Sequence, residues 1–202
     1  IDSLIKNGHD YRFIPSIDYK ELNSKKQEII INDYSYKLLV ISALSDASHL
    51  SNAAKMGSVV LYTGSEKNDY FNASASKKIR FGNGGLIASY KPHEVLNMMQ
   101  VEPQFTHPEG LSVEWKQYRF GRIDIFMVKN TGKLKQQFEA SFGTLAGAPE
   151  LWDPENGQMY AVDNYQQVKG NVRFNLSINP NQTLLYVFGT NTDRDNMETY
   201  RL

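Results

Sequence analysis

The chain has 202 residues and equal numbers of basic and acidic side chains, so its formal net charge is zero. A zero net charge argues against a protein that binds nucleic acid through a basic surface. The absence of cysteine excludes disulfides, zinc–thiolate sites and thiol nucleophiles. No apolar run approaches the roughly 20 residues that a membrane-spanning helix needs. No signal peptide is visible and the first residue is Ile1, so we expect a segment of a longer polypeptide.

Residues 1–99 predict alternating strands and helices, the pattern of an α/β domain. The apolar run 38–41 has strand length and predicts a strand covered on both faces, and 58–62 predicts a second one. Apolar residues at helical spacing over 47–54 predict a helix between these strands. The three elements together predict a βαβ unit with a right-handed crossover.

Glycine-rich residues 82–85 follow a polar segment, 65–78, that predicts a loop. These glycines precede a short strand at 86–89 instead of opening a helix, so they do not form a phosphate cradle and predict a hairpin-type turn. A helix with Pro92 in its first turn comes next. We expect four of its side chains to point inward: Val95, Leu96, Met98 and Met99.

Residues 100–202 show a different period. Pro103 and Pro108 lie in a polar stretch that predicts an inter-domain linker. Beyond it, apolar residues alternate with polar ones in five segments: 111–116, 123–128, 138–142, 172–178 and 184–188. This spacing predicts an antiparallel β-sandwich of the jelly-roll type, and the tail 190–202 is expected to pack weakly.

One stretch in this half, residues 149–158, predicts a β-hairpin. Leu151 and Trp152 run into Asp153-Pro154, which favours a turn, and Asn156-Gly157 closes it. We expect Trp152 to lie at a strand end and to fill the open end of the sandwich.

The chemistry-bearing residues of the chain form no recognisable catalytic constellation. Glu150, Asp153 and Glu155 are close in sequence, but a turn splays them, so they predict a solvated acidic turn and not the facing pair of a glycosidase. No G-x-S-x-G elbow occurs. The four histidines have no metal-ligand spacing: His9, His49, His93 and His107. We therefore predict no catalytic residue, no metal and no cofactor in this segment.

Three segments in this order resemble the C-terminal region of bacterial glycoside hydrolases of family 106, the α-L-rhamnosidase-like enzymes. They are Tyr118-Arg119 with the strand 123–130, the phrase APELWDPENGQ at 148–158, and the strand 183–189. Tyr118 stands where the family usually has a histidine, which weakens any role carried over to the Tyr118-Arg119 pair.

The resemblance implies an architecture. Residues 1–99 would be a small flavodoxin-like or amidotransferase-like domain, of the kind that follows the catalytic barrel in these enzymes and in similarly arranged β-galactosidases. Amidotransferase chemistry needs a cysteine thiolate, and the chain has none. The resemblance also places the catalytic glutamates in a barrel that precedes Ile1, and it implies a periplasmic or secreted protein.

Two functions are compatible with these observations, beside an unrelated enzyme or interaction module. The first is a non-catalytic accessory region that supports or oligomerises the catalytic barrel of an enzyme acting on plant or microbial polysaccharide, with the rest of the parent chain as its partner. The second is a carbohydrate-binding module in which Trp115, Trp152 and Tyr160 stack on sugar rings. The solvent exposure of Trp152 distinguishes them, and we expect a core residue.

Overall fold

The computed structural model describes the C-terminal half almost continuously and separate elements of the N-terminal half. The described residues are 2–12, 23–25, 28–31, 34–41, 59–62, 78–81, 84–88, 91–144, 147–190 and 198–199. The chain divides into an N-terminal unit, residues 1–4 and 11–102, and a C-terminal unit, residues 5–10 and 103–202.

The N-terminal unit contains two small sheets among its described residues. After helix α1 (Asp2–Lys6), the strands β1 (Asn23–Lys25), β2 (Glu28–Ile31) and β3 (Tyr34–Tyr36) form an antiparallel sheet. The second sheet has the order β4-β5-β7-β6, from strands β4 (Leu38–Ile41), β5 (Val59–Tyr62), β6 (Lys78–Phe81) and β7 (Gly84–Ala88). Strands β4, β5 and β7 are parallel, whereas β6 runs antiparallel to β7.

The predicted strands at 38–41 and 58–62 are present as β4 and β5. Residues 82–83, where a hairpin-type turn is predicted, lie outside the described residues. Phe81 pairs with Gly84. Gly84 and Gly85 lie inside β7 and not in the turn, and β6 itself had no sequence prediction. The predicted helix over 47–54 lies outside the described residues, as do residues 65–77 of the predicted loop 65–78 and residues 191–197 and 200–202 of the predicted tail 190–202.

Helix α2 (Pro92–Met98) begins at the predicted proline. The Glu94 carboxylate accepts a hydrogen bond from the backbone N–H of Lys91 at 2.8 Å, which satisfies a donor at the helix start. Val95 and Leu96 are buried, as predicted. The inward prediction is wrong for Met98, which is 44% exposed.

The C-terminal unit consists of two β-sheets. The six-stranded sheet has the order β17-β13-β12-β16-β10-β9 and the four-stranded sheet the order β14-β15-β11-β8. Their bounds are β8 (Phe105–Thr106), β9 (Val113–Phe120), β10 (Ile123–Asn130), β11 (Gln136–Phe142), β12 (Glu150–Asp153), β13 (Gln158–Ala161), β14 (Gln166–Val168), β15 (Asn171–Ile178), β16 (Thr183–Phe188) and β17 (Glu198–Thr199). All described pairs are antiparallel except β13 with β17.

Aromatic side chains from the inner faces of both sheets form the core between them. Phe142 of the four-stranded sheet stacks on Phe174 at a centroid distance of 5.0 Å and meets Phe126 of the six-stranded sheet edge-on at 5.1 Å. Tyr186 and Phe188 complete the cluster around Phe142. Each well-oriented aromatic pair adds about 0.5–1.5 kcal/mol beyond area burial. The β-rich fold predicted from the period-two segments is therefore confirmed.

The predicted linker around Pro103 and Pro108 starts at the boundary between the two units, which divide after residue 102, and it is part of the C-terminal unit. It contains strand β8, whose Phe105 is 1% exposed and pairs with Phe142 of β11. The Phe105 ring lies 5.4 Å from that of Trp115. A segment that contains two prolines therefore includes a strand, β8, which lies at the edge of the four-stranded sheet.

The segment 5–10 belongs to the C-terminal unit, although the sequence analysis assigns it to the first domain. Its Gly8 carbonyl accepts hydrogen bonds from the N–H groups of Gln104 at 2.7 Å and Phe105 at 3.2 Å. Gly8 has φ +75°, and a Cβ there would lie 2.0 Å from the Phe105 carbonyl oxygen. Only glycine fits this contact, which ties the segment to β8.

Candidate functional site

Trp115, one of the three candidate sugar-stacking residues, lies in the core. It is 7% exposed, pairs with Val128 of β10, and packs against the Phe105 ring. A ring enclosed in this way offers no face to a sugar in solvent. Its placement matches that of a core tryptophan.

The other two candidates, Trp152 and Tyr160, lie on opposite faces of the six-stranded sheet. Tyr160 pairs with Leu151, which belongs to the core, and packs partly buried against the same cluster. Trp152 pairs with Met159, which is 48% exposed, on the outward face. Since successive side chains alternate across a strand, Trp152 and Tyr160 cannot form one platform.

The predicted β12–β13 hairpin is present, but the prediction that Trp152 fills the sandwich interior is wrong. Leu151 occupies the inner position, and Trp152 is half-buried on the other side of the sheet. Its indole Nε1–H donates a hydrogen bond to the Oε2 atom of Glu150 at 2.8 Å. This bond fixes the orientation of the ring on the outward face.

Glu150 is the most distinctive polar residue of this hairpin. It is fully buried, at 0% exposed, although its register with Val187 places it on the outward face of the sheet. Its Oε1 atom accepts a hydrogen bond from the Thr190 hydroxyl, and its Oε2 atom accepts the one from Trp152. The prediction of a solvated acidic turn is therefore wrong for Glu150. Burial removes the hydration of its carboxylate, and the hydrogen bonds from Trp152 and Thr190 offset part of that cost.

The other two acidic residues behave as turn residues. The Asp153 carboxylate accepts hydrogen bonds from the Glu155 N–H at 2.9 Å and from the Asn156 side chain at 3.2 Å. Gly157 closes the loop with φ +72°, and its N–H donates to the Asp153 carbonyl oxygen at 2.8 Å. Glu155 is exposed. Asp153 thus organises the turn, which gives its carboxylate a structural task.

A second polar cluster surrounds Asp124 at one end of the core, and the sequence analysis did not predict it. Asp124 is 5% exposed. Arg119 donates to it through Nε at 2.6 Å and through a terminal nitrogen at 3.1 Å, which makes the pair bidentate. The Gln117 amide donates at 3.1 Å and the Thr144 hydroxyl at 2.8 Å. The cluster therefore joins β9, β10 and the segment after β11.

The hydrogen bond to Asp124 raises the pKa of Arg119 above its ordinary value, against the opposing effect of partial desolvation. A raised folded-state pKa contributes stability that is present below the unfolded-state pKa of arginine and disappears only above it. Arg119 therefore stays charged throughout the neutral range. The cluster acts as a fixed brace between the two strands.

One signal in the sequence could have revealed this cluster. Gln117, Arg119 and Asp124 occupy the same parity as the core residues Trp115 and Phe126, so polar residues interrupt an otherwise apolar inner face. Polar residues at core positions call for partners within the fold. The register of the hairpin, which makes Arg119 the direct partner of Asp124, completes the inference.

In the part of the chain that the structure describes, no group of three or more histidine or acidic side chains is arranged to hold a metal ion. None of the helices in the same part is long and apolar enough to cross a membrane.

The Asp124 cluster and the β12–β13 hairpin lie in a part of the chain that matches a known protein family. The family model of glycoside hydrolase family 106, described as alpha-L-rhamnosidase, matches residues 67–167, which is half of the chain. The match includes the Tyr118-Arg119 strand, the Asp124 cluster up to Thr144, and the hairpin of Glu150 and Trp152. No curated protein sequence matches the chain.

Solved structures give a fold comparison. A rhamnosidase from Novosphingobium sp. PP1Y aligns over 90% of this chain with 22% identity and a TM-score of 0.72. A β-galactosidase from Bacillus circulans sp. alkalophilus aligns over 76% of this chain and 33% of its own, with 12% identity and a TM-score of 0.48. The first alignment shows a shared fold, and in it this chain spans 20% of the rhamnosidase.

Proposed function

The chain belongs to glycoside hydrolase family 106, the alpha-L-rhamnosidase family, and from this premise we propose that it is a non-catalytic accessory region of a larger glycoside hydrolase. In this proposal the catalytic barrel lies elsewhere in the same polypeptide, and this region supports or oligomerises it. The observation that carries the proposal is the alignment of 90% of the chain with only 20% of a rhamnosidase. In this proposal the catalytic centre lies in the part of the enzyme that corresponds to the other 80% of the rhamnosidase chain.

The hydrogen bonds of the carboxylates in the matched hairpin support a non-catalytic role. Hydrolysis of a glycoside uses two carboxyl groups that face one sugar bond, one of them able to give up a proton. Glu150 is enclosed and accepts bonds from Trp152 and Thr190, and Asp153 accepts bonds within its own turn. These hydrogen bonds give both carboxylates a structural role in the hairpin.

The domain organisation is part of the proposal. Residues 1–99, apart from the segment 5–10, would form a flavodoxin-like accessory domain, supported by the parallel pairing of β4, β5 and β7. Residues 100–202 would form a jelly-roll-like sandwich, supported by the two facing sheets. The parent enzyme would act on plant or microbial polysaccharide in the periplasm or outside the cell, as fits a hydrolase of this family.

An activity assay tests the non-catalytic role. The 202-residue chain is incubated with a panel of aryl rhamnosides and galactosides, and release of the aryl group is followed. We expect no turnover above that of a heat-denatured sample, because the proposal places the catalytic pair elsewhere. Turnover that Asp153→Asn abolishes, with circular dichroism unchanged, would place a catalytic carboxylate in this region and refute the proposal.

Carbohydrate binding is the second candidate function, and one observation favours it. The Trp152 indole is half-buried on the outward face, oriented by Glu150 and adjacent to the exposed Met159. An oriented indole with an accessible face can stack on a sugar ring. In affinity electrophoresis through a polysaccharide gel, retardation that Trp152→Phe weakens while Trp115→Phe does not would favour this candidate over the accessory role.

A further inference from the structure

The segment 5–10 is separated along the chain from the rest of the C-terminal unit. The chain enters this unit at residue 5, leaves it after residue 10 and returns to it at residue 103. The intervening residues, 11–102, belong to the N-terminal unit. Contacts with the surface on which it lies must therefore hold the segment in the C-terminal unit.

Main-chain hydrogen bonds fix the segment against the start of β8. The Gly8 carbonyl oxygen accepts hydrogen bonds from the N–H groups of Gln104 at 2.7 Å and Phe105 at 3.2 Å. The Asp10 N–H donates to the Oε1 atom of Gln104 at 3.0 Å. Peptides that add to an exposed strand use the same kind of main-chain bonding, and pockets for their side chains give the specificity.

The side chains of the segment add this specificity. Ile5 packs partly buried against the core. Gly8 has φ +75° and leaves no room for a Cβ. Asp10 forms an ion pair with Lys116 of β9, in which Nζ and Oδ1 are 2.6 Å apart. The surface therefore fits a peptide with an apolar residue, a glycine three positions later and a carboxylate two positions after that.

The fold holds this surface in place through bonds that do not involve the segment. The Gln104 carbonyl oxygen accepts a hydrogen bond from the Gly143 N–H at 2.7 Å. Phe105 is 1% exposed and pairs with Phe142 of β11. A preorganised surface loses little conformational entropy when a peptide binds to it.

We infer that the β8 surface, defined as Pro103, Gln104, Phe105 and Lys116, is a peptide-docking site that binds the segment 5–10 without needing a covalent link to it. The partner that fits is an extended peptide of the type apolar-x-x-Gly-x-Asp, and this chain supplies one itself. Because the segment belongs to the same polypeptide, its effective concentration at the site is high, so that weak binding keeps it docked.

Rescue by an added peptide tests the inference in the intact 202-residue chain. Gly8→Ala weakens the chain's own segment, since a Cβ there would lie 2.0 Å from the Phe105 carbonyl oxygen. A synthetic peptide of residues 3–12 is added, and melts are followed by tryptophan fluorescence, because both tryptophans lie in the C-terminal unit. We expect the peptide to raise the melting temperature of the variant as its concentration rises, and that of the parent much less, because the parent's site is filled. The same peptide with Gly8→Ala is the matched control and should not raise it.

A charge exchange tests the site in a second variant that keeps Gly8. Lys116→Glu places a carboxylate opposite Asp10, so it should weaken docking of the chain's own segment. We expect this variant to bind a fluorescently labelled peptide with Asp10→Lys several-fold more tightly than the native peptide, as measured by anisotropy. The parent should show the reverse preference.

Three results would overturn the inference. The first is a Gly8→Ala variant that is destabilised but not rescued by the native peptide, or one that melts like the parent. The second is equal rescue by the native peptide and the Gly8→Ala peptide. The third is a folded Lys116→Glu variant that does not prefer the Asp10→Lys peptide, and this arm decides the question if the Gly8→Ala variant does not fold.

Discussion

Glu150→Gln removes the charge of a fully buried side chain and leaves its shape nearly unchanged. In the native protein the two carboxylate oxygens accept one hydrogen bond each, from Trp152 and from Thr190. A glutamine offers one oxygen and one amide nitrogen in their place. One of the two donors therefore meets another donor.

The expected effect follows from these contacts. A hydrogen bond to a charged group contributes about 1.5–3 kcal/mol, and one of the two bonds is lost. Burying an amide costs less than burying a carboxylate, which offsets part of that loss. We expect the free energy of unfolding to fall by about 1–2 kcal/mol. With a urea slope of about 2 kcal/mol/M, the unfolding midpoint falls by about 0.5–1 M.

Tryptophan fluorescence during urea unfolding measures this effect in the C-terminal unit, because both tryptophans of the chain, Trp115 and Trp152, lie there. Glu155→Gln is the matched control, since Glu155 is exposed in the same hairpin. Its free energy of unfolding should stay within about 0.5 kcal/mol of that of the parent. The double variant with Trp152→Phe should show a coupling of about 0.5 kcal/mol or more to Glu150→Gln. Equal midpoints for Glu150→Gln and Glu155→Gln would refute the reasoning.

Other substitutions test the core, the N-terminal tether and the polar brace. Phe142→Ala should lower the free energy of unfolding by about 3–5 kcal/mol in urea titration, because its ring contacts both sheets; a loss below about 1 kcal/mol would contradict the described core. Gly8→Ala should destabilise the C-terminal unit in thermal melts, since the added Cβ meets the carbonyl oxygen of Phe105; an unchanged melting temperature would show that segment 5–10 is not docked. Asp124→Asn should lower the free energy of unfolding by about 1–3 kcal/mol and by the same amount at pH 6 and pH 9, because Arg119 stays charged across that range; a loss that differs between the two pH values would contradict the fixed brace.

The strands of the C-terminal unit could be predicted from sequence because the period of apolar residues reports strand geometry directly. Alternation in 172–178 and 184–188 corresponds to β15 and β16, and the turn residues at 153–157 correspond to the β12–β13 loop. The same alternation also states which residues share a face. For Leu151 and Trp152, the alternation predicts that only one of the two side chains faces the core, but it does not show which one.

The environment of Glu150 could not be predicted, because burial on an outward sheet face depends on residues distant in sequence. Thr190, which donates to its carboxylate, lies 40 positions away. The strand β8 was missed for a related reason. Two residues are too few to show a period, and the burial of Phe105 depends on its pairing with Phe142 across 37 positions of chain.

The most direct test of the central claim compares turnover by the full-length parent with that of its Asp153→Asn variant. Asp153 holds the hairpin turn, and the substitution leaves an oxygen to accept the bond from the Glu155 N–H. Both proteins should show the same kcat on an aryl α-L-rhamnoside at equal folded concentration. A variant that is folded but inactive would contradict the non-catalytic role, because this region would then contribute a catalytic carboxylate.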